Sequence, residues 1–418
     1  HLESLTSVYD ILEKKYTSNE DRLRDIIKRL EILPQIREQG QENLENAPDL
    51  RMRLAAQKAQ IAYSSFGELS NALYKMAKVE QTQKKINTVS IVAREALKKY
   101  ADFLRDTLEK KEYTDFRLGE ENYSALLKDV YFLSEPISKY QKTVEAEIEE
   151  TQKILKSLLA PYLLDILSEE EQAQRTDEEG NLVVLPSDYY LVRNTKFSQT
   201  PTLGEIAPTY ASVYQQASQF FTEQELFVMP DLALSLQKNP QYLKQPYTAS
   251  LFLPPYPFAA RQSGDLLLNI PSEEDTADLT NLFTYSDIRI DAVQKMMPGI
   301  HLSYNATLDS QQVLTNISND MFYVNGWAAY SLKFAQKAGF FEDEADNLNI
   351  AWLNYKRALY ALADIKMQTK TLNYTQTLDM LISAGINDEE ATERIDFLAI
   401  NPANALSYVI GAKEFEKL

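Results

Sequence analysis

Two histidines occur in the 418 residues, one of them residue 1, so chemistry that needs an imidazole inside the chain must pass through His301. A zinc site built from several histidines cannot be assembled, and a Ser-His-Asp triad would have to use His301. The absence of cysteine removes a thiol nucleophile, a cysteine-zinc site and any disulfide. No G-x-S-x-G elbow, phosphate-binding P-loop or G-x-G-x-x-G fingerprint is present. Ser235 to Lys238 fits S-x-x-K, a pattern loose enough to arise by chance about once or twice in a chain of this length. The acidic run FEDEAD, residues 341–346, lacks the glycine and the spacing of a calcium loop, and is expected to be a solvated helix start. Asp291 and Asp364 remain as a carboxylate pair for hydrolysis, which would require a buried partner with a raised pKa. The residues alone assemble no catalytic constellation.

The element that carries His301 is unusual. DAVQKMMPGIHLSYN, residues 291–305, has helical composition with Pro298 and Gly299 in its middle. A proline inside a helix removes a backbone hydrogen bond and costs about 3 kcal/mol, so the bend is expected to serve a purpose. Around it the chain reads as amphipathic helices. Ser18 with Asp21 forms a capping start, and Leu23, Ile26, Ile27, Leu30 and Leu33 repeat at helical spacing until Pro34, which is expected to end or bend that helix. Leu97, Tyr100, Ala101, Leu104 and Leu108 form a second stripe. Val144, Ile148, Thr151, Leu155 and Leu158 form a third, and Trp352, Tyr355, Leu359, Leu362 and Ala363 a fourth.

The middle of the chain differs. DEEGNLVVLP places a strand candidate at Leu182 to Leu185. YTASLFLPPYPFAARQSGDLLLNIP reads as two extended runs joined near Ser263 and Gly264, a hairpin. Pro254, Pro255 and Pro257 make it an edge element lying on the helices. No apolar run approaches the 18 or so residues of a membrane span. The 11 glycines are few for a sheet-and-turn protein, and at 44% hydrophobic residues a sizeable core can form. The net charge is −18. Residues 1–120 hold 21 basic and 20 acidic side chains, and the remainder 22 and 41. Such an acidic surface repels phosphate backbones and speaks against nucleic-acid binding.

Several phrases taken in order resemble one bacterial family, domain of unknown function 885. NEDRLRDIIKRLEILPQIREQGQENL is similar to its opening helices. FRLGEENYSALLKD, through Arg117, Gly119, Glu120, Tyr123 and Leu126, is similar to its glycine-tyrosine phrase. GDLLLNIP with Asn269, MMPGIHLSY, NGWAAYSLKFAQKAGFFED, NYKRALYALADIKMQ and INPANALSYVIGAKEFEKL follow, from about residue 18 to 418. The resemblance implies a helical fold similar to zinc metallopeptidases, with a metal motif H-E-x-x-P-G-H-H-L-Q. Here Gln294 stands at the first histidine, Lys295 at the glutamate and Ile300 at the next histidine, while Pro298, Gly299 and His301 match. The G-W-A-L-Y-A-E phrase carries Leu332 at its carboxylate position, after Gly326, Trp327 and Tyr330. The D-x-G-L-H phrase keeps Asp364 but has Gln368 at its histidine. In P-G-Q-A-L-S-Y-K-I-G, Pro402, Ala405, Leu406, Ser407, Tyr408, Ile410 and Gly411 match, while Ala403 and Asn404 depart.

A catalytic zinc needs about three protein ligands and an open position for water, with a base to take the water's proton. Gln294 is a poor ligand, Ile300 and Leu332 are none, and Lys295 brings a cation where a metal and base would stand. The expectation is a mainly α, multi-helix, metallopeptidase-like fold with a small β-hairpin or edge element. It has an N-terminal helical half over 1–170 and a second half over 171–418. The resemblance implies a metal-free pseudoenzyme with no cofactor, binding a peptide or small molecule in a remnant cleft. That cleft comprises Gln294, Lys295, Ile300, His301, Tyr330, Leu332, Asp364, Gln368 and Tyr408. A structural or interaction protein with a closed cleft is the alternative, and a hydrolase using a carboxylate pair a third. Relatives are often exported, frequently as lipoproteins, which implies a periplasmic or lipid-anchored location, with membrane contact only through an anchor upstream.

Overall fold

The computed structural model describes residues 3–13, 16–44, 48–108, 115–228, 233–240, 250–255, 263–271, 283–309 and 320–418. Its contacts gather the described residues into two units. The first draws on His1–Phe116, Lys238–Pro246 and Pro254–Ser263, the second on Arg117–Gln237, Tyr247–Leu253 and Gly264–Leu418. This division differs from the halves meeting at 170/171 expected from helix content alone. The cause is α6 (Ile137–Ile166), which runs beside a helix some 200 residues later in the sequence and belongs with it.

In the first unit, α1 (Glu3–Glu13), α2 (Asn19–Glu42), α3 (Asp49–Met76) and α4 (Glu80–Leu108) pack on one another. The Ser18 hydroxyl accepts from the Asp21 N–H, the capping start expected from sequence. Leu23, Ile26, Leu30 and Leu33 of α2 are buried with Phe66, Leu69, Ile86 and Leu97. Each such side chain is worth about 1.5–3 kcal/mol on burial. Pro34 does not end α2, which continues through it to Glu42.

The second unit is organised around one long buried helix. After α5 (Glu120–Ala125), a π-helical turn (Leu126–Val130) and α6 come α7 (Glu169–Gln174), α8 (Asp188–Lys196) and α9 (Ile206–Glu223). The strands β1 (Ala233–Lys238), β2 (Ser250–Leu253) and β3 (Ser263–Leu268) follow. Then come α10 (Tyr285–Lys295), α11 (Ile300–Asp309), α12 (Met321–Lys337), α13 (Glu344–Gln368), α14 (Tyr374–Ser383), α15 (Asp388–Ile400) and α16 (Asn404–Glu416). Helix α13 lies against α6, α10, α14, α15 and α16, which explains why it is buried on nearly every side. Its stripe of Trp352, Tyr355, Leu359, Leu362 and Ala363 is buried as its spacing predicts. Helices α12 and α16 cross at two glycines, where a Cβ on Gly326 would meet the Gly411 backbone at 2.5 Å.

The sheet has the order β1-β3-β2. Strands β2 and β3 are antiparallel, with Ser250 opposite Leu268 and Leu253 opposite Asp265, so the two extended runs do pair. Their junction is not at Ser263 and Gly264, which belong to β3 itself. Pro254 and Pro255 follow β2, an edge strand, while β3 is central; Pro257 lies outside the described residues. Leu182 to Leu185 form no strand, only an isolated bridge from Leu182 to Thr176, because no neighbouring strand is there to extend the pairing. The acidic run at 341–346 does begin a helix, with Asp343 as the cap of α13. It is not simply solvated: Asp346 is buried, and it and Asp343 both close on Arg289 at 2.7 and 2.8 Å.

Candidate functional site

The stretch 291–305 is two helices rather than one with a proline inside it. Helix α10 ends at Lys295 and α11 begins at Ile300. Between them the Met297–Pro298 bond is cis. Gly299 lies so close to α10 that a Cβ would sit 1.9 Å from the Gln294 carbonyl oxygen, a position only glycine fills. The Trp327 indole N–H of α12 donates to the Pro298 and Gly299 carbonyls at 2.9 and 3.0 Å. The Gly299 carbonyl also accepts from the Ser303 N–H at 3.2 Å, whereas the Pro298 carbonyl has no backbone donor among the described residues and the indole satisfies it. The proline-glycine bend and the Gly-Trp phrase are thus one mechanical unit, joined across 28 residues of sequence.

On α10, Lys295 and Asp291 are one turn apart and ion-paired at 2.8 Å, with 19% and 17% of their side chains exposed. The Lys295 ammonium also donates to the Ser250 carbonyl and, at 2.9 Å, to the Ser250 hydroxyl. That hydroxyl donates to Asp291, and the Tyr210 hydroxyl donates to the same carboxylate oxygen at 2.8 Å. Burial first, and then Asp291 beside it, hold the Tyr210 hydroxyl far above its ordinary pKa, so it stays a donor. The Ser250–Lys295 contact has the composition of a Ser-Lys dyad. A lysine base must give up its proton to act, however, and Lys295 is a cation held by Asp291, while Ser250 is 1% exposed. The cluster ties β2 to α10.

The other expected residues divide among separate surroundings. His301 is wholly buried on α11, between the rings of Tyr214 and Phe252 at centroid distances of 6.2 and 6.1 Å, with Gly264 close by. Ile300 is partly buried at the start of α11. Leu332 is wholly buried in the apolar cluster of Phe221, Val293, Ala335 and Ile350. Tyr330 lines a groove of about 300 Å³ with Leu226, Phe227, Trp327, Phe334, Phe415 and Leu418. Tyr408, on α16, instead lies beneath Arg357, whose guanidinium carbon is 4.9 Å from the ring centre. Arg357 also donates to the Gln294 side-chain oxygen. Gln294, Arg357 and Tyr408 therefore do come together, from α10, α13 and α16.

Asp364 and Gln368 form a further pair of neighbours on α13. Asp364 is fully buried and accepts from the Tyr123 hydroxyl at 3.2 Å and from the Ala403 N–H, while its Oδ1 has no partner among the described residues. Burial pushes its carboxyl up to about 8 despite those two donors. Gln368 donates to the Leu398 carbonyl at 3.1 Å and accepts from the Leu118 N–H at 3.3 Å, so both ends of its amide are used. No interaction joins Asp364 to Asp291 among the described residues, and each keeps its own partners. The carboxylate-pair expectation is met in burial and raised pKa by Asp364 alone, without a second carboxylate. No group of three or more His, Asp or Glu side chains stands close enough to hold a metal among the described residues.

Arg357, Ser250 and Tyr123 join these clusters without standing out in the sequence as site residues. Tyr123 was visible as part of a phrase, and Asp291–Lys295 had ion-pair spacing. Arg357 gave no further signal, since a Lys-Arg pair on a helix is ordinarily solvated.

No curated protein matches the chain significantly. Two solved structures are similar to it in fold. One is a protein of Colwellia psychrerythraea provisionally described as a lipoprotein, at 15% identity and a TM-score of 0.75, the match covering 97% of this chain and 71% of that one. The other, of Shewanella oneidensis, is provisionally described as a lipoprotein of unknown function. It matches at 14% identity and a TM-score of 0.73, over 98% of this chain and 74% of that one. No helix among the described residues is long and apolar enough to cross a membrane. The pattern that runs through residues 2–418 is that of the bacterial proteins of unknown function DUF885, and the chain belongs to that family.

Proposed function

We propose that this chain is a non-catalytic, metal-free member of a family whose ancestral site resembles that of helical zinc peptidases, and that it binds a ligand in the remnant cleft. The observation that carries this reading is the Lys295 ammonium, at the position where the resemblance expects a catalytic glutamate, neutralised by Asp291 and bonded to Ser250. A metal bound there would face that ammonium, and the carboxylate beside it, Asp291, is already engaged by Lys295, Ser250 and Tyr210 rather than open to take a water's proton. Leu332 in an apolar core and Gln294 engaged by Arg357 support the same reading. The lipoprotein descriptions of the two structural neighbours support an exported protein. A closed interaction scaffold is the second reading, favoured by the complete burial of His301 and Leu332.

The test is metal content. Untagged protein is dialysed against micromolar zinc, then metal-free buffer, and analysed by mass spectrometry for bound metal. The expected result is no stoichiometric zinc and no peptidase activity on casein or short peptides. One zinc per chain, lost in His301→Ala, would overturn the proposal.

A further inference from the structure

Arg357 is the cation of the second unit whose surroundings are least explained by the fold. Its Nη1 is shielded from solvent and has no acceptor among the described residues. Its Nη2 is spent on Gln294, a neutral amide, and its face rests on Tyr408. No carboxylate among the described residues pairs with it. Glu390, on α15, is taken by Lys356 and by the Tyr360 hydroxyl at 2.7 Å. The charged neighbour that acts on Arg357 is another cation, Arg394, itself stacked 4.7 Å over the Tyr360 ring. Burial, and then Arg394, draw the Arg357 guanidinium down to about 10, which still leaves it charged at neutral pH.

Removing one partner from a buried charged group costs more than the pair is worth, because the remaining charge is left without compensation. A fold keeps a shielded guanidinium with an open donor where something supplies the counter-charge, and arginine is the side chain suited to carboxylate and phosphate. The residue as a whole is of intermediate exposure while its Nη1 is closed off, so a ligand reaches that donor by displacing what covers it. We infer that Arg357, held by Gln294 and Tyr408, is the receptor for a monoanionic carboxylate ligand. Carboxylate is favoured over phosphate because residues 121–418 carry 41 acidic against 22 basic side chains, a field that penalises a dianion more than a monoanion. The inference deepens the ligand-binding half of the proposed function and rests on it. It does not depend on whether metal is absent.

Titration calorimetry on zinc-free wild-type protein, with acetyl-alanyl-alanine as the free acid and as its C-terminal amide, tests it without any variant. The acid is expected to bind at least about tenfold more tightly than the amide, the loss typical of one charged hydrogen bond. Arg357→Gln is expected to erase the difference, and Arg357→Lys to restore part of it. Tyr408→Ala, which removes the ring but keeps the charge, should weaken the acid about threefold to tenfold, and serves if Arg357→Gln does not fold. Inorganic phosphate should compete poorly; stronger binding of phosphate than of the acid would overturn the carboxylate assignment. Equal or absent binding of acid and amide, or unchanged preference in folded Arg357→Gln, would overturn the inference. Stoichiometric zinc in the companion measurement would instead sink the metal-free reading and leave the acid–amide comparison standing.

Discussion

Asp364 is a carboxylic acid sealed among α5, α13 and the start of α16, and its protonation sets how the second unit responds to pH. The unfolded chain releases this proton near pH 4, the folded chain near 8. Between those values the unfolded state binds fewer protons, so stability falls as pH rises. The penalty is absent below about pH 4 and complete above about pH 8. Asp364→Asn is therefore expected to flatten the decline in urea midpoint between pH 5 and 8 and to leave the variant more stable than wild type at pH 8. An unchanged slope would mean that the carboxyl is charged in the folded protein. Lys295 gives a second residue-scale prediction. Lys295→Glu does not rebuild a base; it sets two carboxylates one turn apart beside Ser250. The expected cost is about 2 kcal/mol in chemical denaturation, below the ~3–5 kcal/mol of a fully buried broken pair because both side chains keep some exposure.

Among the elements, α12 and α16 cross at backbone-to-backbone distance. A Cβ on Gly411 would stand 2.3 Å from the Phe322 carbonyl oxygen and 2.7 Å from Gly326. Gly411→Ala and Gly326→Ala should each cost about 1–3 kcal/mol through forced separation of the helices. The double variant should cost less than their sum, since one displacement accommodates both methyls; strict additivity would show that the helices do not share this contact. Most of these helices could be foreseen because burial repeats along them, as at Leu23, Ile26 and Leu30 or at Tyr355, Leu359 and Leu362. The failures have local causes. Leu182 to Leu185 has strand composition, but a strand exists only with a partner, which a single sequence does not display. Of the two outcomes expected at Pro34, an end or a bend, the end does not occur: α2 continues through it, packed on α4. Pro298 and Gly299 read as a purposeful bend within one helix; that they separate two helices could not be read, because the group that takes the Pro298 carbonyl, Trp327, lies far along the chain.

For the molecule as a whole, charge is unevenly distributed along the sequence, nearly balanced over residues 1–120 and strongly acidic after them. Self-repulsion of that acidic portion opposes its compact state. Raising ionic strength from about 0.01 to 0.15 M shortens the screening length from about 30 to 8 Å, and the thermal midpoint is expected to rise with it; a fall would mean that the ion pairs at Arg289, Glu147 and Glu390 outweigh the repulsion. The helical class followed from apolar periodicity, and the family from ordered phrases such as MMPGIHLSY and NGWAAY. Of the residues expected to line a cleft, Gln294 and Tyr408 adjoin one another through Arg357, which the sequence did not single out. Charge compensation is a property of three-dimensional neighbours, and sequence spacing reports it only within a helix turn or two, as for Asp291 and Lys295.

The tie between Trp327 and the bend also makes the bend observable by light. The chain has two tryptophans. Trp352 is buried in a stack with Tyr189 at 4.5 Å, while Trp327 holds the Pro298 and Gly299 carbonyls through its indole N–H and borders the aromatic groove. With Trp352 changed to Phe, the remaining indole emission would come from the hinge between α10 and α11 alone. Gly299 lies directly against the Gln294 backbone carbonyl, so the wavelength of that single fluorophore reports on the surroundings of the bend.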